Sequence, residues 1–175
     1  MNHLKYLDPV STQTLRQGIA ELRAAEGADH DAAENVAPEL VEDIGVHDAV
    51  HVLFACPTNL AGEILAHVWG IFGTTMPLSD VRRVNRHEDH RSVLADIGHG
   101  RLVGTWIASI PQITVTIYRA VRMRHQWPAS DFSSFLDRRL CDIRREFDIR
   151  LPKSPPRGHG KPGAALRTIR TPESV

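Results

Sequence analysis

The stretch from His47 to Glu63, HDAVHVLFACPTNLAGE, constrains the fold of this chain more than any other. Read as a helix of about 3.6 residues per turn, it sets His47 and His51 on one face, with Asp48 beside them. The same stripe runs back through Ile44 and Leu40, so the histidines point where the apolar side chains point. Polar groups turned toward a core need partners. Pro57 is expected to end or kink this helix, and Thr58 or Asn59 to cap a second one whose inward stripe is Leu60, Glu63, Ile64, His67 and Ile71. His47, Asp48, His51 and Glu63 therefore form a candidate ligand set for a divalent metal. Two neutral imidazoles and two carboxylates around such a cation carry no net charge, a physical reason to bury them together. These donor types suit zinc first, with manganese, iron or magnesium as alternatives. The bland counterpart is a hydrogen-bonded core cluster without metal. A further rival is a phosphohydrolase of the His-Asp type, which would need an additional histidine and a distant aspartate, for which His30 and Asp96 could be nominated.

Charge divides the chain in two. No lysine or arginine lies between Arg23 and Arg82, where ten Asp or Glu residues fall, whereas thirteen arginines lie from Arg82 to Arg150. The first half suits a cation; the second suits carboxylates, phosphates or anionic headgroups, and Arg82 or Arg83 could orient a substrate carboxylate. A length of 175 residues with 42% hydrophobic and 24% charged residues fits one soluble domain. Two cysteines, Cys56 and Cys141, make no disulfide framework, and no signal or transit segment opens the sequence, so a reducing compartment is expected. No apolar run approaches the roughly 20 residues that span a bilayer, so any membrane association is expected to be peripheral.

The remaining pattern predicts an all-α fold, a single helical domain over 1–151 in which two helices meet at a metal site, followed by a disordered basic tail over 152–175. Ser11 or Thr12 is expected to cap a helix through about Ala25 with Leu15, Ile19 and Leu22 on its stripe. Pro38 suits the first turn of the helix carrying His47 and His51. Val81 to about Ile97 is expected to be helical, and its His87, Glu88, Asp89 and His90 are read as exposed rather than as a second metal site. In Gly98 to Arg124, Gly100, Gly104 and Ala108 recur every fourth residue. That stripe is read either as tight packing within the domain or as a dimer seam or membrane-facing element, because Trp106 to Tyr118 is followed by Arg119, Arg122 and Arg124. The β-branched run Ile113 to Ile117 also fits a strand. A last helix is expected from Asp131 as cap through Phe132, Phe135, Leu136, Leu140, Ile143 and Phe147.

The HDAVH segment, the eleven residues before Glu63, and above all CPTNLAGEI resemble the signature of the coenzyme Q biosynthesis protein 4 family over about Val46 to Leu78. The resemblance implies an all-α fold, a homodimer, and zinc at His47, Asp48, His51 and Glu63. It implies removal of the C1 carboxyl from a polyprenylated 4-hydroxybenzoate-type ring, in company with other quinone biosynthesis proteins. The expected place is cytoplasmic, peripheral on the inner face of the inner membrane, with no nucleic acid as partner. The chain departs from the family pattern in its short N-terminal region, in His67 one turn after Glu63, in the segment around His87 and in the basic tail. The prenyl chain would need an apolar groove, for which Gly98 to Tyr118 is the expected lining. An alternative is a non-catalytic prenyl-lipid-binding or scaffold subunit with a structural metal.

Overall fold

A computed structural model of the chain describes residues 4–26, 38–77 and 99–152. Its elements are a 3-10 turn (Lys5–Leu7), α1 (Leu15–Glu26), α2 (Pro38–Leu53), α3 (Leu60–Gly73), α4 (His99–Ala120), a 3-10 segment (Ala129–Phe135) and α5 (Leu140–Glu146). The described residues hold only isolated bridges and no strand, so the fold is all-α. The expected helix around His87 to His90, the candidates His30, Asp96, Arg82 and Arg83, and the tail beyond Pro152 lie outside the described residues.

In α1, Leu15, Gly18, Ile19 and Leu22 are buried along one stripe. Its cap is neither Ser11 nor Thr12. Thr14 N–H donates to Gln17 Oε1 at 3.0 Å while Gln17 N–H donates to Thr14 Oγ1 at 3.2 Å, a reciprocal capping box. The next two orphan donors of the helix, Leu15 N–H and Arg16 N–H, reach the carbonyls of Arg138 and Leu136 at 3.0 and 2.8 Å. That commitment explains why the expected long last helix is broken. Leu136 and Arg138 spend their carbonyls on α1, and Ser134 Oγ donates to the Asp131 carbonyl at 2.9 Å, so residues 129–139 run as 3-10 turn and loop before α5 begins at Leu140. Asp131 sits inside the 3-10 segment, not at a helix cap. The apolar stripe survives the break: Phe135, Leu140, Ile143 and Phe147 are all buried.

α2 ends before Pro57 is reached. Cys56 N–H donates to the His51 carbonyl at 2.8 Å and Ala55 N–H to that of Val52, with Ala55 in the left-handed region at φ 53°, the Schellman arrangement. Pro57 instead occupies the connection to α3, where Asn59 caps through Gly62 N–H at 2.9 Å. A Cβ on Gly62 would lie 1.7 Å from the Pro57 carbonyl oxygen, so this turn requires glycine. α3 is more deeply buried than its expected stripe, with Ile64, Leu65, Ala66, Val68 and Trp69 all inside and the Trp69 ring stacked on Phe54 at 4.4 Å. It packs against both α2 and α4.

α4 is one continuous helix through Pro111, so Ile113 to Ile117 are helical and not a strand. Its inward face carries Ser109, Thr116 and Ala120, while Trp106, Ile107, Ile110, Val115 and Tyr118 are exposed, as is Val121 just after it. A Cβ at Gly104 would meet nothing within 4 Å, and Ala108 is exposed, so the Gly104 and Ala108 part of the small-residue stripe packs against nothing in the described chain. Tight intradomain packing there is therefore not what the structure has. Among the described residues no helix is long and apolar enough to cross a membrane.

Arg144 of α5 closes the fold. It is buried, and its guanidinium donates to the carbonyls of Leu53 (2.9 Å), Val52 (2.8 Å), Tyr6 (2.8 Å) and Asp8 (2.6 Å). Burial pulls its pKa down to about 10. One side chain thus ties α5 to the N-terminal segment and to the end of α2, immediately after His51.

Candidate metal centre

The end of α2 builds one wall of the site. The Schellman turn leaves the Cys56 carbonyl pointing back at the helix, where it accepts from His51 Nδ1–H at 3.2 Å and from the Tyr6 hydroxyl at 3.3 Å. That bond fixes the tautomer: with the proton on Nδ1, the Nε2 lone pair of His51 faces outward from the core. Four residues earlier on the same face, His47 brings its own Nε2 to 3.2 Å from it. The Asn59 cap sets the first turn of α3 so that Glu63 arrives opposite, with both carboxylate oxygens 3.3 Å from His51 Nε2 and one of them 3.4 Å from His47 Nε2.

These are the only three residues among those described that could together hold a metal ion, with one donor atom from each inside a 4.8 Å group. The distances fit the task. A tetrahedral ion about 2.0–2.1 Å from each donor separates neighbouring donors by roughly 3.3 Å, and the three edges found here are 3.2, 3.3 and 3.4 Å. His51 is buried, whereas the side chains of His47 and Glu63 are 24% and 26% exposed, so the open side of the triangle reaches solvent. Without a cation the triangle must share protons. Burial alone would raise the Glu63 carboxyl, but the charge of His51 and the hydrogen bonds from His47 and His51 hold it well below the usual carboxylate range. Burial opposes a charge on His51, yet the Glu63 carboxylate raises its pKa above the ordinary imidazole value.

No known protein family, curated protein or solved structure matches the chain.

The fourth expected ligand lies elsewhere. Asp48 follows His47 by one position, a turn of about 100° around α2, which aims its carboxylate at α1. There Oδ2 accepts from Arg23 Nε at 2.7 Å, and the aspartate is buried. The triangle therefore consists of two imidazoles and one carboxylate, while Asp48 is neutralised by an arginine. His67 stands beside the site without joining it: its ring lies 5.8 Å from that of His47, and its Nδ1 donates to the Glu63 carbonyl at 2.7 Å. Sequence reasoning missed Arg23, Tyr6 and the Cys56 carbonyl. Arg23 follows the buried stripe residue Leu22 at the α2-facing end of α1, which is the one signal that could have nominated it.

Proposed function

We propose that the chain is a metal-dependent carboxy-lyase acting on a prenylated 4-hydroxybenzoate-type ring in quinone biosynthesis, with zinc as the preferred ion. The observation that carries the metal part is the His47, His51 and Glu63 triangle with edges of 3.2 to 3.4 Å. Among the described residues the donors number three rather than four, the count of catalytic zinc sites, which keep a position for water or substrate, and this favours catalysis over a purely structural metal. When bound, such an ion supplies Lewis acidity, polarising a phenol or carboxylate oxygen and stabilising charge on the ring as carbon dioxide leaves. The choice of substrate rests on the resemblance of HDAVH and CPTNLAGEI to coenzyme Q biosynthesis protein 4.

The chain's own residues have separable roles in this reading. His51 is held by the Cys56 carbonyl, so its Nε2 stays available without a rotamer search. His47 and Glu63 complete the donor set at the solvent edge. Arg23 holds Asp48 away from the donor set. The scaffold alternative, in which the metal is structural, predicts that removing it unfolds the protein. The test is release of carbon dioxide from a prenylated hydroxybenzoate by purified metal-loaded protein. Glu63→Gln keeps shape while removing one ligand charge and is expected to lower that rate by at least about 100-fold, the scale typical of lost electrostatic stabilisation, with the fold intact by circular dichroism. Unchanged turnover in Glu63→Gln, or no turnover in the loaded parent, would overturn the reading.

A further inference from the structure

We propose that His67 is a substrate-binding residue, the acceptor for the ring hydroxyl of the hydroxybenzoate, and so the residue that selects a phenol over an aromatic acid without one. The inference rests on the functional reading above and deepens it. His67 lies one turn after Glu63 on α3, half-buried, with its ring 5.8 Å from that of His47. His51 is the buried corner of the donor triangle, and His47 and Glu63 are its partly exposed corners. A ring set beside His47 and one turn beyond Glu63 therefore stands at the rim where the triangle opens. Among the described residues it is not one of the three donors that could hold an ion together.

One hydrogen bond decides what this imidazole can recognise. Its Nδ1 donates to the Glu63 carbonyl at 2.7 Å, as His51 Nδ1 does to the Cys56 carbonyl at 3.2 Å. A carbonyl oxygen only accepts, so the proton sits on Nδ1, and the neutral ring presents Nε2 as an acceptor. The two ends of a 4-hydroxybenzoate differ in the same respect. Its carboxylate only accepts, whereas its hydroxyl can donate. The neutral His67 ring thus has nothing to offer the carboxylate and matches the hydroxyl. Because the two ends are para to each other they cannot share one position, and a hydroxyl held at His67 leaves the donor triangle to the carboxylate. A site built to hydrogen-bond a substrate hydroxyl discriminates against the analogue that lacks it, since its own polar group is then left without that partner.

The test measures binding rather than turnover. Zinc-loaded full chain at about pH 8, where an ordinary imidazole is neutral, is titrated calorimetrically with a 4-hydroxybenzoate carrying one isoprene unit and with the analogue whose hydroxyl is replaced by hydrogen. The parent is expected to bind the hydroxyl compound about tenfold tighter, the scale of one hydrogen bond. His67→Phe keeps an aromatic ring beside His47 but removes the acceptor, and it is expected to bind both compounds equally. His67→Ala is expected to do the same, which covers a phenylalanine variant that fails to fold. His67→Gln, whose amide oxygen accepts, is expected to keep part of the preference. All three variants are expected to hold as much metal as the parent by elemental analysis, because His67 is not a donor of the triangle. A parent without preference for the hydroxyl compound, a preference that survives both His67→Phe and His67→Ala, or metal lost with His67 would overturn the proposal. Carbon dioxide release distinguishes its failure from that of the carboxy-lyase reading. Release without a hydroxyl preference contradicts the role of His67 alone, whereas a preference that depends on His67 without release contradicts the carboxy-lyase and leaves His67 as the residue that reads a phenol.

Discussion

α3 and α4 pack against each other, yet they treat apolar surface in opposite ways. α3 buries Ile64, Leu65, Ala66, Val68 and Trp69 and carries a single acidic side chain, Glu63, at the edge of the core. α4 buries Ser109, Thr116 and Ala120 and leaves Trp106, Ile107 and Ile110 in solvent. A mean burial value of about 1.5–3 kcal/mol per large apolar side chain makes the second choice costly in water. The contrast separates two helices: α3 is packed on the side that delivers Glu63, and α4 leaves much of its apolar surface exposed.

The glycines offer the largest expected break in that comparison. A methyl group at Gly62 would enter the Pro57 carbonyl at 1.7 Å, and the turn it would disturb is the one that delivers Glu63. Gly62→Ala is expected to destabilise the protein by about 3 kcal/mol, the upper end for overpacking, and to reduce metal retention. Gly104→Ala meets open space on α4 and is expected to stabilise by about 0.8–1 kcal/mol through helix propensity alone. Thermal melts of the two variants check both signs; a destabilising Gly104→Ala would show that its face is already packed.

A smaller effect is expected from pH in chelator-treated protein. The Glu63 carboxyl is lowered from 4.5, so its contribution is complete above that value and is lost as pH falls through the lower folded value. The His51 imidazole is raised from 6.5, so its contribution is complete below that value and is lost as pH rises through the higher folded value. Metal-free protein is therefore expected to be most stable between about pH 4.5 and 6.5. Metal-loaded protein should keep its stability above that window, because the ion displaces the proton from His51. Melting curves across pH with and without chelator check this, and coincident profiles would count against a metal at the triangle.

Much of the site was legible because helical periodicity is a strong constraint over short spans. The spacing of His47 and His51, the placement of Glu63 on the following helix and the Asn59 cap all follow from local geometry. What periodicity could not supply was the partner across a gap. Asp48 reads as a ligand until α1 is docked beside it, when Arg23 claims its carboxylate. Arg144 reads as one of thirteen arginines in the basic half, but it is a buried clamp on five carbonyls from two distant segments, contacts that leave no trace in local sequence. The broken last helix has the same origin, since its stripe is regular while its carbonyls are needed by α1. α4 shows the converse. Its sequence leaves open both tight packing and an outward-facing apolar stripe, and only docking α4 on α3 decides that Trp106, Ile107 and Ile110 face out.

The central claim is that His47, His51 and Glu63, and not Asp48, hold a divalent metal. Elemental analysis of the purified full chain beside His47→Ala, His51→Ala, Glu63→Gln and Asp48→Asn tests it most directly. The account predicts near-stoichiometric divalent metal in the parent, loss in the first three variants, and retention in Asp48→Asn, whose Arg23 contact lies outside the triangle. A parent that never retains metal would contradict the claim, as would metal that is lost from Asp48→Asn but kept by Glu63→Gln.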